Sequence, residues 1–284
     1  MSTTAQQFNA ERIGRWSDPQ EFAVERDRIV AYAEATNDTI APHAEGRYAP
    51  PVFAVVPAFE VLAPTMAQVI PSDLLMMVLH GEQDFHFHRP IEPGRTLVTR
   101  AMPIGYETKR SGVTVAARAE TRDKDSDELL VEQYMTSFVR GAQADGSVGE
   151  QAPGHAFGEE LRERGPLAEV SQTFDDDQTF RYAPAAGDPM PIHLDEEVAK
   201  AMGLPGIIIH GLCTMAFTSR AVIETTCADD PTRLKRLAVR FSKPCRPGET
   251  ITTRIFDAGG GRYAYETTSG DGNVVIKDGL AQVA

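Results

Sequence analysis

The chain has 284 residues, 42% of them hydrophobic and 24% charged, enough apolar material for a sizeable core and length enough for two ordinary domains. Its net charge of −13 argues against nucleic acid or an anionic membrane as a general partner, while a local basic patch could still meet a small anion. Cys213, Cys227 and Cys245 are few, odd in number and without metal spacing, which points to a reducing, cytoplasmic setting with no disulfide framework.

In chain order, the opening MSTTAQQFNAERIGRW lacks the apolar core of a signal peptide, and no run is apolar over the length of a bilayer span. Residues 25–36 place Ile29, Val30 and Ala33 on one side of a helix. Residues 52–69 read as a second, apolar helix interrupted by Pro57 and Pro64, either a shortening that would leave room for a long ligand tail or only a bent core helix. From Leu74 onward the pattern turns to strands. GVTVAARAET alternates around Val113, Val115, Ala117 and Ala119, and EQYMTSFVR follows a polar turn. His86 and His88 share one side of a strand, but no carboxylate or thiol completes a metal set. Residues 141–168, rich in Gly, Ala and charge, read as a linker. Beyond it, a short helix precedes Tyr182, and further helices cover about 195–202 and 211–226. Strands follow at 235–243, 249–257, 261–269 and 273–283, with hairpin turns at 259–261 and 270–273. Helices followed by antiparallel strands, twice over, give an α+β class with a curved sheet around one apolar helix in each half.

The two halves repeat one another. FHRPIEPGRTLVTR (87–100) matches FSKPCRPGETITTR (241–254), and AYAEATNDTIAPH (31–43) matches RYAPAAGDPMPIH (181–193). Tyr32, Asp38 and His43 thereby correspond to Tyr182, Asp188 and His193. The copies are not equal where it matters. The second carries His210-Gly211 where the first carries Val56-Pro57, and proline has no backbone N–H to donate.

The chemistry concentrates between Tyr182 and Arg220. Asp188 and His193 form a D-x-x-x-x-H pair in a turn stiffened by Pro189 and Pro191. His193 can take a proton from water and return it. Asp188 can orient that water, or carry a proton itself where burial raises its pKa. Gly211 opens a helix, where amides lack intrahelical acceptors and a ligand oxygen can approach closely. A donor aimed at developing charge is commonly worth about 3 kcal/mol of barrier. Together these groups suit adding water across the double bond of an α,β-unsaturated thioester, or removing it. His210 reads as ordering the loop before the helix, and Asp38/His43 as a relic without its glycine partner. Arg233, Lys235, Arg236, Arg240 and Lys243 form either a solvated face or a patch that meets phosphates.

GDPMPIHLD followed by IIIHGLCTMAF resembles the hydratase 2 motif of the MaoC-like, hotdog-fold enzymes, the R-specific enoyl-CoA hydratases. RLKRLAVRFSKPCRPGETITT extends the likeness, and VLHGEQDFHFHRPI at 78–91 is similar to the N-terminal half of the eukaryotic peroxisomal hydratase 2. The resemblance runs from about residue 20 to the end, apart from the linker. It implies a double hotdog, two antiparallel sheets each wrapped around a long helix. A non-catalytic, substrate-accommodating hotdog would span 1–140, and a catalytic one 169–284. The catalytic Asp and His would be Asp188 and His193, and the oxyanion-hole glycine Gly211. His80, Gly81, His210, Arg240 and Lys243 would bind substrate. The implied reaction hydrates trans-2-enoyl-CoA to (3R)-hydroxyacyl-CoA in a homodimer, with no metal or redox cofactor and CoA present only as part of the substrate. The family's G-D-x-N-P carries Asn where this chain has Met190, a departure that bears on rate and substrate. An acyl-CoA thioesterase, a (3R)-hydroxyacyl-carrier-protein dehydratase and a non-catalytic acyl-CoA-binding protein are the alternatives.

Overall fold

The computed structural model describes residues 7–228 and 230–284. Residues 1–6, part of the segment read for a leader, lie outside the described residues. Along the chain come β1 (Gln20–Ala23), α1 (Arg26–Ala35), α2 (Ala41–Ala44), α3 (Phe59–Ala67), β2 (Val78–Phe87), β3 (Thr96–Lys109), β4 (Gly112–Asp123), β5 (Leu129–Arg140) and β6 (Val148–Gly149). Then follow α4 (Glu159–Glu163), β7 (Ala168–Thr173), α5 (Gln178–Ala186), α6 (Glu196–Ala201), α7 (Gly211–Thr226), β8 (Leu234–Phe241), β9 (Thr250–Gly259), β10 (Arg262–Ser269) and β11 (Val274–Val283).

These elements form two compact units that interleave along the chain. One takes the segment ending at Ala23, Pro57–His88 and Thr96–Gly154. The other takes Val24–Val56, Arg89–Arg95 and His155–Ala284. The segment expected as a linker therefore divides, β6 going to the first unit and α4 to the second.

In the first unit the strands run β1-β3-β4-β5-β2, antiparallel throughout, with β6 added to β3. The period-two alternation of β4 sends Val113, Val115, Ala117 and Ala119 into the core, where Val61, Leu62 and Met66 of α3 meet them. The apolar stretch 52–69 is not one helix. A 3-10 stretch over Pro51–Ala58 comes first, and α3 begins only after Pro57. Pro57 lacks the N–H that an α-helical turn would use.

In the second unit the strands run β8-β11-β10-β9-β7, again antiparallel. Helix α7 packs against β7, β8, β9 and β11. It is buried without a break from Leu212 to Ser219, as a helix wrapped by its sheet must be. Its interior hydroxyls turn back on the helix, Thr214 donating to the His210 carbonyl at 3.3 Å and Thr218 to that of Thr214 at 3.0 Å. Helix α1 belongs to this unit and packs on α5, with the Tyr32 and Tyr182 hydroxyls 3.3 Å apart. Tyr182 lies inside α5 rather than after it. Each unit thus shows the expected α+β hotdog arrangement. The edge strands β1 and β7 leave no mark in the sequence pattern, because QEFA and AEVSQT offer few apolar residues to alternate. Among the described residues, no helix is long and apolar enough to cross a membrane.

Candidate active site

The site grows out of the end of α5. Gly187 closes that helix at φ +75, a left-handed cap that glycine adopts without strain. The N–H groups of Gly187 and Asp188 both reach the Ala183 carbonyl, at 2.9 and 3.0 Å. Asp188 then leads a tight turn. The Met190 N–H donates to Asp188 Oδ1 at 3.3 Å, and the His193 N–H donates to the Met190 carbonyl at 3.0 Å. A 3-10 turn over Pro191–His193 follows, and Asp195 caps α6 by accepting from Glu197 and Val198. The D-x-x-x-x-H spacing is therefore a folded turn that sets carboxylate and imidazole side by side.

The loop before α7 supplies the opposite wall. Glu196 Oε2 accepts the Ile207 N–H at 2.9 Å, and the Cys245 carbonyl accepts that of Ile209 at 2.8 Å. Between them, the Ile208 carbonyl accepts the Nδ1–H of His193 at 2.8 Å. His210 stacks its ring on that of His193, centroids 3.7 Å apart and planes at 24°. Its Nε2–H donates to the Asp188 backbone carbonyl at 3.1 Å. Gly211 is the first residue of α7, where the N–H has no intrahelical acceptor. A side chain there would crowd Phe241, an ideal Cβ lying 3.3 Å from its ring.

Burial governs the protonation of all three titratable groups. It raises the Asp188 pKa above the ordinary carboxylate value, against the opposing pull of His193 and of the Met190 N–H. It lowers that of His193, against the Ile208 hydrogen bond and the Asp188 charge. His210 is pushed down to about 3 by burial and by its His193 neighbour. The tautomer of His193 follows from its contact. With the proton of Nδ1 given to Ile208, the neutral ring carries its lone pair on Nε2.

One donor atom from each of Asp188, His193 and His210 lies within 4.8 Å of the others. By composition such a set could hold a divalent cation. The stacking argues otherwise, because an ion lies in the plane of each imidazole at about 2.0–2.1 Å, and two nearly parallel rings do not aim at one point.

The other expected site residues are distributed as follows. His80 and Gly81 lie on β2 of the first unit, His80 Nε2 3.1 Å from Gln83 Oε1 and its pKa lowered to about 4 by burial. Arg240 lies on β8 with Asp278 at 3.6 Å. Lys243 lines a cavity of about 300 Å³ together with Pro205, Arg246, Ser269 and Asn273. His210 is 1% exposed. Of the basic run, Arg233 is engaged with the Ala284 carbonyl at 2.8 Å and Lys235 with that of Thr232 at 2.8 Å. The first-copy pair is closed on itself. His43 Nδ1 meets Asp38 Oδ2 at 2.7 Å, both residues are buried, and Asp38 Oδ1 accepts the Ile40 N–H at 3.0 Å. Two contributors escaped the sequence reading, the Ile208 carbonyl and the Met190 N–H. Both are backbone groups, which residue identity does not announce.

Comparison with known proteins agrees in both halves. The MaoC like domain matches residues 159–278, and the MFE-2 hydratase 2 N-terminal domain matches residues 42–141. A probable enoyl-CoA hydratase 2 from Dictyostelium discoideum is 33% identical over 207 residues, covering 72% of this chain and 70% of that one. The peroxisomal multifunctional enzyme type 2 of Drosophila melanogaster is 32% identical over 218 residues, 73% of this chain but 36% of that longer protein. The crystal structure of a MaoC-like dehydratase from Phytophthora capsici superposes with a TM-score of 0.86 at 26% identity, covering 97% of this chain and 99% of that one.

Proposed function

The chain belongs to the hydratase 2 family of MaoC-like proteins, and from that premise we propose that it is an R-specific enoyl-CoA hydratase, adding water to trans-2-enoyl-CoA and running the reverse dehydration. One observation carries the assignment of roles. Burial drives Asp188 toward its protonated form and His193 toward its neutral one, which makes one an acid and the other a base within a single turn. His193 Nε2 takes a proton from water as the water oxygen bonds to C3. The displaced electron pair moves to the thioester oxygen, where the Gly211 N–H receives the developing charge. C2 then takes the proton of the Asp188 carboxyl. The imidazolium and carboxylate exchange a proton, and the pair returns to its starting state. No electron is gained or lost overall, so the reaction asks for no redox cofactor, and CoA enters as part of the substrate.

Loss of the conjugated enoyl-thioester absorbance, followed over a range of chain lengths with chiral analysis of the product, tests this. No loss with any chain length, or a 3S product, overturns it. Release of free CoA would instead favour a thioesterase, and turnover confined to carrier-protein thioesters a dehydratase of that class. A chelator is expected to leave the rate unchanged. We further place the protein in the cytoplasm as a homodimer, a reading that its three buried free thiols support for the compartment. Light scattering checks the assembly.

A further inference from the structure

His210 is almost wholly enclosed. It is 1% exposed, and its Nδ1 is buried with no hydrogen-bond partner. An unmatched buried polar atom is costly, a cost that a side chain serving only as filler would avoid. The ring has definite neighbours. One is the His193 ring, stacked on it at 3.7 Å, and another is the Tyr182 ring, its centroid 4.8 Å away. The remaining nitrogen donates to the Asp188 carbonyl.

This placement matters at one moment of the reaction. When His193 accepts a proton it becomes a cation in a buried place. A neutral ring laid face-on against a cation attracts it, more strongly where water is excluded. We propose that His210 is a positioning residue, whose neutral ring raises the basicity of His193 and stabilises the imidazolium formed during water addition, while its Nε2–H holds the Asp188 end of the turn in register. His210 itself stays unprotonated through most of the pH range, since burial and His193 push it down to about 3. Tyr182, the other ring on His210, and the titratable groups around Tyr182 apart from Asp188 do not titrate alongside it. The Tyr182 and Tyr32 phenols and the Cys213 thiol are held protonated by burial, and Arg181 of α5 is paired with Asp175 and Asp177. Asp188 titrates with His193 and is counted in every variant alike.

The catalytic meaning of this inference rests on the hydratase reading; its physical content does not. Two substitutions separate the ring from the hydrogen bond. His210→Phe keeps a stacked face and puts carbon where Nδ1 is unmatched. His210→Gln keeps an N–H within reach of the Asp188 carbonyl and removes the face. The readout is the NMR titration of His193, its Cε1–H signal assigned by its loss in His193→Asn. His210→Gln should lower the His193 midpoint by about half a unit to one and a half units, and His210→Phe should leave it close to wild type. His210→Leu, apolar and without a π face, should behave as Gln does and stands in for it should Gln fail to fold. An unchanged midpoint in Gln or Leu, or an equal fall in Phe, overturns the proposal. In the enzyme assay the acid limb of kcat/KM should move with the midpoint. A wild-type protein that hydrates nothing would sink the hydratase reading and leave the titration result intact.

Discussion

Met190 stands where the family carries Asn, yet the contact this position makes with Asp188 is a backbone N–H. Any residue except proline supplies it. The Met190 side chain is half exposed, so Met190→Ala should change kcat by less than about threefold, as a surface substitution away from a special contact does. Met190→Pro fits the local φ of −57 and deletes the donor. A carboxylate that loses a hydrogen bond becomes harder to ionise. Asp188 would therefore hold its proton to higher pH, and the alkaline limb of the pH–rate profile should move upward. In the wild type that profile should be a bell, falling on the acid side as His193 is protonated and on the alkaline side as Asp188 ionises, with both limbs belonging to the coupled pair. Asp188→Asn and His193→Ala should each cost about 10²–10⁴ in kcat, read in the hydration assay. At this scale the nearness of Asp188 to His193 was legible in residue types and spacing. The protonation states were not, because they come from burial, and burial of the turn depends on the loop at 207–210, distant in sequence.

Helix α7 offers a test of the proposed oxyanion donor that leaves the helix standing. Gly211 occupies its first position, where proline is well tolerated, and His210 before it has φ −57 and ψ 136, the extended geometry a residue ahead of proline requires. Gly211→Pro should retain the far-UV dichroism and lose about 10²–10³ in kcat, the usual consequence of deleting one oxyanion-hole donor. Either substitution adds a Cβ that presses on Phe241; Gly211→Ala keeps the N–H and should show a smaller loss, so the difference between the two variants reports the donor. The repeated half already carries this substitution, with Pro57 in the matching place, and there the chain forms a 3-10 stretch before α3 begins. Helix α7 was readable over 211–226, whereas the 52–69 stretch divides into a 3-10 segment and the short α3, which runs on through Pro64. The short edge strands were not readable, since a strand exposed on most of its length has no hydrophobic alternation to reveal it.

The repeat in the sequence suggested two halves divided near 141–168, and the compact units divide the chain differently, because 24–56 folds with the C-terminal strands. Contacts specify why. Gln178, fully buried, donates to the Ala35 carbonyl at 2.6 Å; Arg181 donates to the Glu34 carbonyl at 2.9 Å; Arg220 reaches the Asn37 carbonyl; and the Tyr32 and Tyr182 hydroxyls meet. Such pairings join residues far apart in the chain, and no local pattern encodes them. Gln178→Ala leaves a buried carbonyl unmatched and should lower stability by about 1–3 kcal/mol, measured by denaturant titration. A fragment spanning 155–284 lacks the partner of α5, and calorimetry should find no cooperative transition. Duplication gave this chain two acid–imidazole pairs, and the Asp38–His43 contact makes one of them answer only to itself. To take up a proton transfer of its own, that pair would first have to break the contact that now joins its two side chains.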